Sequence, residues 1–190
     1  MSNHLTDGEK ETLLHLAREA LEEGVKGRPL PRLDQTRLPP SLMEEGASFV
    51  TLTIGGELRG CIGALEAYQP LAEDVREHAI AAALNDPRFP PVEADELNRI
   101  KLEVPCLTPP QALEYSSGDE LPRLLRPHVD GVILRDGYRR ATFLPQVWEK
   151  LPNAVDFLEH LCQKMGAAGN AWRVKKMQVL TYQVEEFSEK

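Results

Sequence analysis

The chain has 190 residues, 42% hydrophobic and 27% charged, with 22 Lys and Arg against 30 Asp and Glu for a net charge of −8. That length suits one domain, or two small lobes sharing a chain, and the acidic balance argues against the basic face of an extended nucleic-acid footprint. Residues 1–27 show no signal-peptide apolar region, no apolar run approaches the roughly 20 residues that span a bilayer, and three cysteines make no disulfide framework, so a cytoplasmic, reducing setting is expected.

Thr6 and Glu9 have the spacing of a capping box, and Leu13, Leu16, Ala17, Ala20 and Leu21 recur at helical spacing, which predicts an amphipathic helix over about residues 7–24. Residues 27–46, with Pro29, Pro31, Pro39 and Pro40, read as an irregular surface wrap. Val50, Leu52 and Ile54 alternate with Thr51 and Thr53, a strand with one buried face. Gly55-Gly56-Glu57 turns it into a second arm over Leu58–Leu65, making a β-hairpin. Leu71, Val75, Ala79 and Ala82 place a helix over about residues 70–84, stopped by Asp86-Pro87-Arg88-Phe89-Pro90-Pro91. Ile100, Leu102 and Val104 alternate in a further strand bounded by Pro105 and Pro109-Pro110.

After Tyr115, Ser116-Ser117-Gly118 reads as a joint, followed by a short helix near residues 119–125. Val132–Arg135 and Arg139–Phe143 flank Asp136-Gly137-Tyr138 as a second hairpin. Pro145 opens a helix, and Leu158, Leu161, Cys162 and Met165 stripe the next one, which Gly166 and Gly169 end. A final strand over about residues 176–187 sets Leu180, Tyr182 and Val184 on one face. The fold class is α+β, with short antiparallel hairpins and helices beside them.

The chemistry concentrates in Leu58-Arg59-Gly60-Cys61-Ile62-Gly63. Strict alternation puts Arg59, Cys61 and Gly63 on one face and Leu58, Gly60 and Ile62 on the other. Glycines in a strand mark a close approach of backbone or ligand, and a guanidinium favours a thiolate, so Cys61 is the candidate nucleophile or ligand contact. On spacing alone the same residues also fit a tight hairpin whose cysteine is a small core residue. His78 is the one local histidine to nominate as a base. Asp86, Arg88 and Phe89 sit in a proline-stiffened loop, either as an anion clamp with an apolar wall or as an ion pair holding the loop. Thr142, Phe143, Pro145 and Gln146 form a strand-to-helix turn whose amides suit an anion, or whose side chains close the helix end. Cys162 belongs to an apolar stripe, and Cys106 reads as a partly buried filler. Neither C-x-x-C nor H-x-x-x-H spacing appears, nor a P-loop or G-x-G-x-x-G, so no metal and no cofactor is implied.

Read together, GASFVTL before LRGCIG, NDPRFPPV after it, GVILRDGYRRATFLPQVWEKLP, and FLEHLCQKMG as far as Trp172 closely resemble the AMMECR domain family. Its bacterial and archaeal members go by the name AmmeMemoRadiSam system protein A, and the resemblance covers nearly the whole chain. It implies two lobes, each a small antiparallel β-sheet flanked by helices. Residues 1–115 plus 171–190 would form the large lobe with both termini and the LRGCIG hairpin, and residues 116–170 an inserted small lobe. LRGCIG would face a cleft between them, with Arg59, Gly60, Gly63, Asp86, Arg88, Phe89, Thr142, Phe143 and Gln146 contacting a peptide or small-molecule ligand beside Cys61. The family's association with radical-SAM and Memo-like, dioxygenase-related proteins implies a substrate-binding accessory subunit whose partner performs the radical or metal chemistry. This chain lacks the cysteine set of an iron–sulfur cluster. The other reading is a non-catalytic adaptor that grips a peptide or protein, and the residues leave open whether the chain is an enzyme by itself.

Overall fold

The structure, a computed structural model, describes residues 4–190. Its first helix, α1 (Asp7–Val25), starts at the capping box: Thr6 Oγ1 accepts from the Glu9 amide, and the Thr6 amide donates to Glu9 Oε2 at 2.7 Å. The wrap that follows is irregular except for a 3-10 turn at Pro40–Met43, which buries Leu42. β1 (Glu45–Ile54) and β2 (Glu57–Gly63) form the expected hairpin. Gly55 and Gly56 both take positive φ, +62° and +85°, which gives the two-residue turn a twist matched to its strands. β3 (Gln69–Pro70) pairs with the start of β1, α2 (Leu71–Leu84) follows, and β4 (Ile100–Leu107) runs antiparallel along the other side of β1.

β5 (Gln111–Ala112) and α3 (Leu121–Leu124) lead to the second hairpin, β6 (Gly131–Asp136) and β7 (Arg139–Phe143). The helix expected from Pro145 is a five-residue 3-10 turn, Pro145–Glu149. The α-helix proper, α4 (Ala154–Lys164), starts later, where Asn153 Oδ1 accepts from the amides of Val155 and Asp156. α5 (Ala171–Val174), β8 (Gln178–Tyr182) and β9 (Val184–Ser188) complete the chain.

The strands make two sheets, ordered β2-β1-β4-β9 with β3 on β1, and β5-β8-β6-β7. The chain divides accordingly into two compact units. One runs to Thr108 and resumes over Glu185–Lys190, and the other is Pro109–Val184. In the first, α1 and α2 pack on each other and on the sheet around Leu13, Leu21, Val50, Leu52, Leu102 and Val104, all fully buried. In the second, the core gathers around Trp148, whose ring stacks on Phe157 at 3.8 Å. The lobe boundaries expected between residues 115 and 116 and between 170 and 171 both fall inside this second unit. Their flanks belong to its sheet, because β5 pairs with β8 and β8 with β6, and Trp172 is buried in its core. The single strand expected over 176–187 is likewise two strands, one in each sheet, with the chain changing sheets at Gln183. No helix of the described residues is long and apolar enough to cross a membrane.

Candidate functional site

β2 is the edge strand of the first sheet. Counting from the turn, Ile54 faces Glu57 and Thr53 faces Leu58. The register then slips, so that Leu52 faces Gly60 and Thr51 faces Cys61. Arg59 is the extra residue of a β-bulge, which breaks the alternation that set Arg59 and Cys61 side by side. Unbroken pairing would have placed Arg59 opposite the buried Leu52. The bulge gives that place to Gly60 and turns Cys61 to the face away from the core, beside Thr51. There Thr51 Oγ1 donates to Cys61 Sγ at 3.3 Å, and the cysteine is half-buried.

The two glycines answer to packing. A Cβ at Gly60 would stand 2.1 Å from the carbonyl oxygen of Ala82 in α2, and one at Gly63 would stand 2.4 Å from the Phe49 ring. They admit a helix backbone and an aromatic ring, where the sequence suggested room around the thiol. Arg59 is also committed elsewhere: Nε and Nη2 each bond a Glu96 carboxylate oxygen at 2.9 Å, and Nη1 reaches the Pro90 carbonyl at 2.9 Å. The Glu96 hydrogen bond raises the guanidinium pKa, and Arg59 in turn lowers that of Glu96. Its expected role as the cationic partner of Cys61 therefore falls away.

That role passes to the proline-stiffened loop, through the main chain. The Cys61 amide donates to Asp86 Oδ2 at 2.8 Å, and Arg88 Nη2 donates to the Cys61 carbonyl at 3.2 Å. Asp86 also accepts from Arg88 Nε at 3.0 Å and Nη2 at 2.7 Å, so the ion-pair reading of the loop is realised, and it sits on Cys61. The Arg88 hydrogen bond holds the buried Asp86 carboxyl well below the usual carboxylate range, helped by the amides of Cys61 and Arg88. Phe89 lies under the guanidinium, 5.5 Å from ring centre to Cζ. The outward backbone groups of an edge strand are thus covered at this position.

His78 is not available as a base. It is buried on α2, with Nδ1 3.1 Å from the buried Asp74 carboxylate but without hydrogen-bond geometry. Asp74 instead accepts from the amide and hydroxyl of Ser48, at 2.8 and 2.6 Å. This Ser48–Asp74 cluster had no sequence signal, since its members look like ordinary strand and helix residues. Cys106 and Cys162 are buried, and burial pushes both thiols up. Among the described residues no group of three or more His, Cys, Asp or Glu is placed to hold a metal.

Thr142, Phe143 and Gln146 belong to the second unit. Thr142 Oγ1 lies 3.1 Å from the Tyr182 hydroxyl, which donates to the Phe143 carbonyl at 3.1 Å, and burial pushes the Tyr182 phenol up to about 12. The Phe143 ring meets Phe157 edge-on at 5.3 Å, and Gln146 is exposed. Thr142 therefore bonds Tyr182, and neither it nor Gln146 closes a helix end. A five-residue 3-10 turn also lacks the aligned amides that the anion reading required.

An α+β chain of two sheet-and-helix units, with a half-buried cysteine on a bulged edge strand, defines the class. The family model described as AMMECR1 matches residues 14–187. A protein of Methanothermobacter thermautotrophicus is 40% identical, the match covering 97% of this chain and 96% of the relative. One from Methanosarcina mazei is also 40% identical, over 98% and 94%. The crystal structure of the uncharacterized protein PH0010 from Pyrococcus horikoshii is similar at a TM-score of 0.75 and 35% identity, covering 98% of this chain and 94% of that one. The chain belongs to the AMMECR1 family.

Proposed function

We propose that this protein holds a small-molecule or peptide substrate against the Cys61 edge of its first unit, in the cytoplasm, for radical-SAM and Memo-like partners that perform the chemistry. The observation that carries the reading is a half-buried thiol whose main chain is clamped on both sides by Asp86 and Arg88, and whose sulfur, among the described residues, accepts from the Thr51 hydroxyl and is hydrogen-bonded to no histidine. A self-sufficient cysteine hydrolase needs a base within roughly 2.6–3.2 Å of the proton it takes, and His78, the local histidine, is buried in the core beside Asp74. Presenting a substrate needs only a rigid surface and a few polar contacts. An adaptor that adds a peptide strand to β2 is disfavoured, because the Asp86–Arg88 pair already occupies the edge at Cys61 and the Arg59–Pro90 contact covers it at the bulge.

The test pairs two measurements on the full chain. Brief alkylation at neutral pH, mapped by mass spectrometry, modifies Cys61 ahead of Cys106 and Cys162. The purified protein also turns over no generic ester, peptide or phosphate substrate. Turnover that disappears in Cys61→Ser overturns the substrate-holding reading, and labelling at either buried cysteine first removes Cys61 from the site.

A further inference from the structure

Val50 and Leu52 of β1 and Leu102 and Val104 of β4 point into the helix-covered core of the first unit. Thr51 and Glu103, which alternate with them, therefore stand on the opposite face of that sheet. The bulge at Arg59 brings Cys61 to the same face, and the pairing sets the three in one row: Cys61 opposite Thr51, and Thr51 opposite Glu103. Neighbouring strands lie about 4.8 Å apart, so the Cα atoms of Cys61 and Glu103 are about 10 Å apart with Thr51 between them. All three residues are half-buried. The other charges beside Cys61 are already matched, Arg88 with Asp86 and Arg59 with Glu96. Glu103 is not: its carboxylate makes no hydrogen bond or ion pair among the described residues, and Lys101, exposed on the same face, does not pair with it. Thr51 spends its one O–H on Cys61 Sγ, which leaves the lone pairs of its oxygen as acceptors. The row thus runs from a thiol through an acceptor oxygen to an unmatched anion. Partial burial strips a carboxylate of some hydration, a cost that a cation with N–H donors returns.

We infer that Glu103 is a specificity-determining residue, which selects a positively charged amine group in the ligand held at Cys61, with Thr51 Oγ1 as a further acceptor along the row. An anionic group in the same place would meet like charge and find no donor beyond the Thr51 hydroxyl, which is already engaged. This inference rests on the reading of Cys61 as the ligand contact and deepens it by giving the charge of the substrate.

The experiment measures rates of Cys61 modification in the full-length protein by a cationic reagent, 2-aminoethyl methanethiosulfonate, and an anionic one, 2-sulfonatoethyl methanethiosulfonate, at neutral pH and low salt. In both reactions the thiolate attacks the thiosulfonate sulfur, forms a mixed disulfide and releases methanesulfinate, and mass spectrometry maps the site. The cationic-to-anionic rate ratio is divided by the same ratio for free 2-mercaptoethanol, which removes the intrinsic reactivity of the reagents. The normalised ratio exceeds unity in the wild type, and Glu103→Gln lowers it about threefold. Glu11→Gln, which removes the same charge from an exposed position on α1, leaves it unchanged. Glu103→Gln also folds normally by circular dichroism. Failure of both reagents to modify Cys61 overturns the Cys61 reading and this inference with it. Modification without a cationic preference, a ratio unchanged in Glu103→Gln, or an equal drop in Glu11→Gln overturns the role of Glu103 and leaves Cys61 standing. A Glu103→Gln protein that does not fold would make the residue structural and overturns the inference as well.

Discussion

Asp86→Asn tests whether the proline-stiffened loop holds the Cys61 strand. The carboxylate accepts four hydrogen bonds: from the Cys61 amide at 2.8 Å, the Arg88 amide at 3.0 Å, and Arg88 Nε and Nη2 at 3.0 and 2.7 Å. The Arg88 side chain is 53% exposed, so water screens the ion pair and it adds little. The two main-chain amides matter more, since each bond to a charged acceptor contributes about 1.5–3 kcal/mol. Asparagine keeps one neutral acceptor and presents an NH₂ where the second was, which gives a loss of about 2 kcal/mol at neutral pH. The folded carboxyl titrates well below its unfolded value, so its stabilisation is complete above the unfolded pKa and drains as pH falls toward the folded one. The gap between wild type and Asp86→Asn is therefore flat from neutrality down to about pH 5 and narrows below about pH 4. Urea unfolding across that range reads it as a shift in midpoint at constant slope. A gap under about 0.5 kcal/mol at pH 7, or one that widens on acidification, would refute the argument.

Gly60→Ala is expected to cost about 3 kcal/mol, because its Cβ would meet the backbone of α2 at Ala82, which has no flexible end to move aside. Gly8→Ala, in the first turn of α1 with open space around it, raises stability by about 0.5 kcal/mol, and the same urea series reads both. Arg18→Ala removes a forked pair with Glu189 and bonds to the carbonyls of Leu97 and Ile100 at 3.2 and 2.9 Å. A loss of about 2 kcal/mol is expected by thermal or urea unfolding, with Glu189→Gln costing less because the carbonyl contacts remain.

The local elements were legible because each follows from near neighbours. Thr6 and Glu9 start α1, paired glycines turn the first hairpin, Asp136-Gly137-Tyr138 turns the second, and the leucine stripe of α4 marks its buried face. The family was legible as well, since its motifs are contiguous in the chain. Tertiary packing decided everything that joins distant residues. The bulge at Arg59 is required by the close approach of α2, and it alone turns Cys61 toward Thr51. A pattern of alternating residues carries no mark of that slip, because residues on either side of it keep their own period of two. The same holds at Gln183, where an unbroken alternation conceals a change of sheet. The partners of Cys61 were invisible for a related reason: Asp86 and Arg88 reach its main chain from 25 and 27 residues away, and a backbone amide has no residue type by which a sequence could announce it.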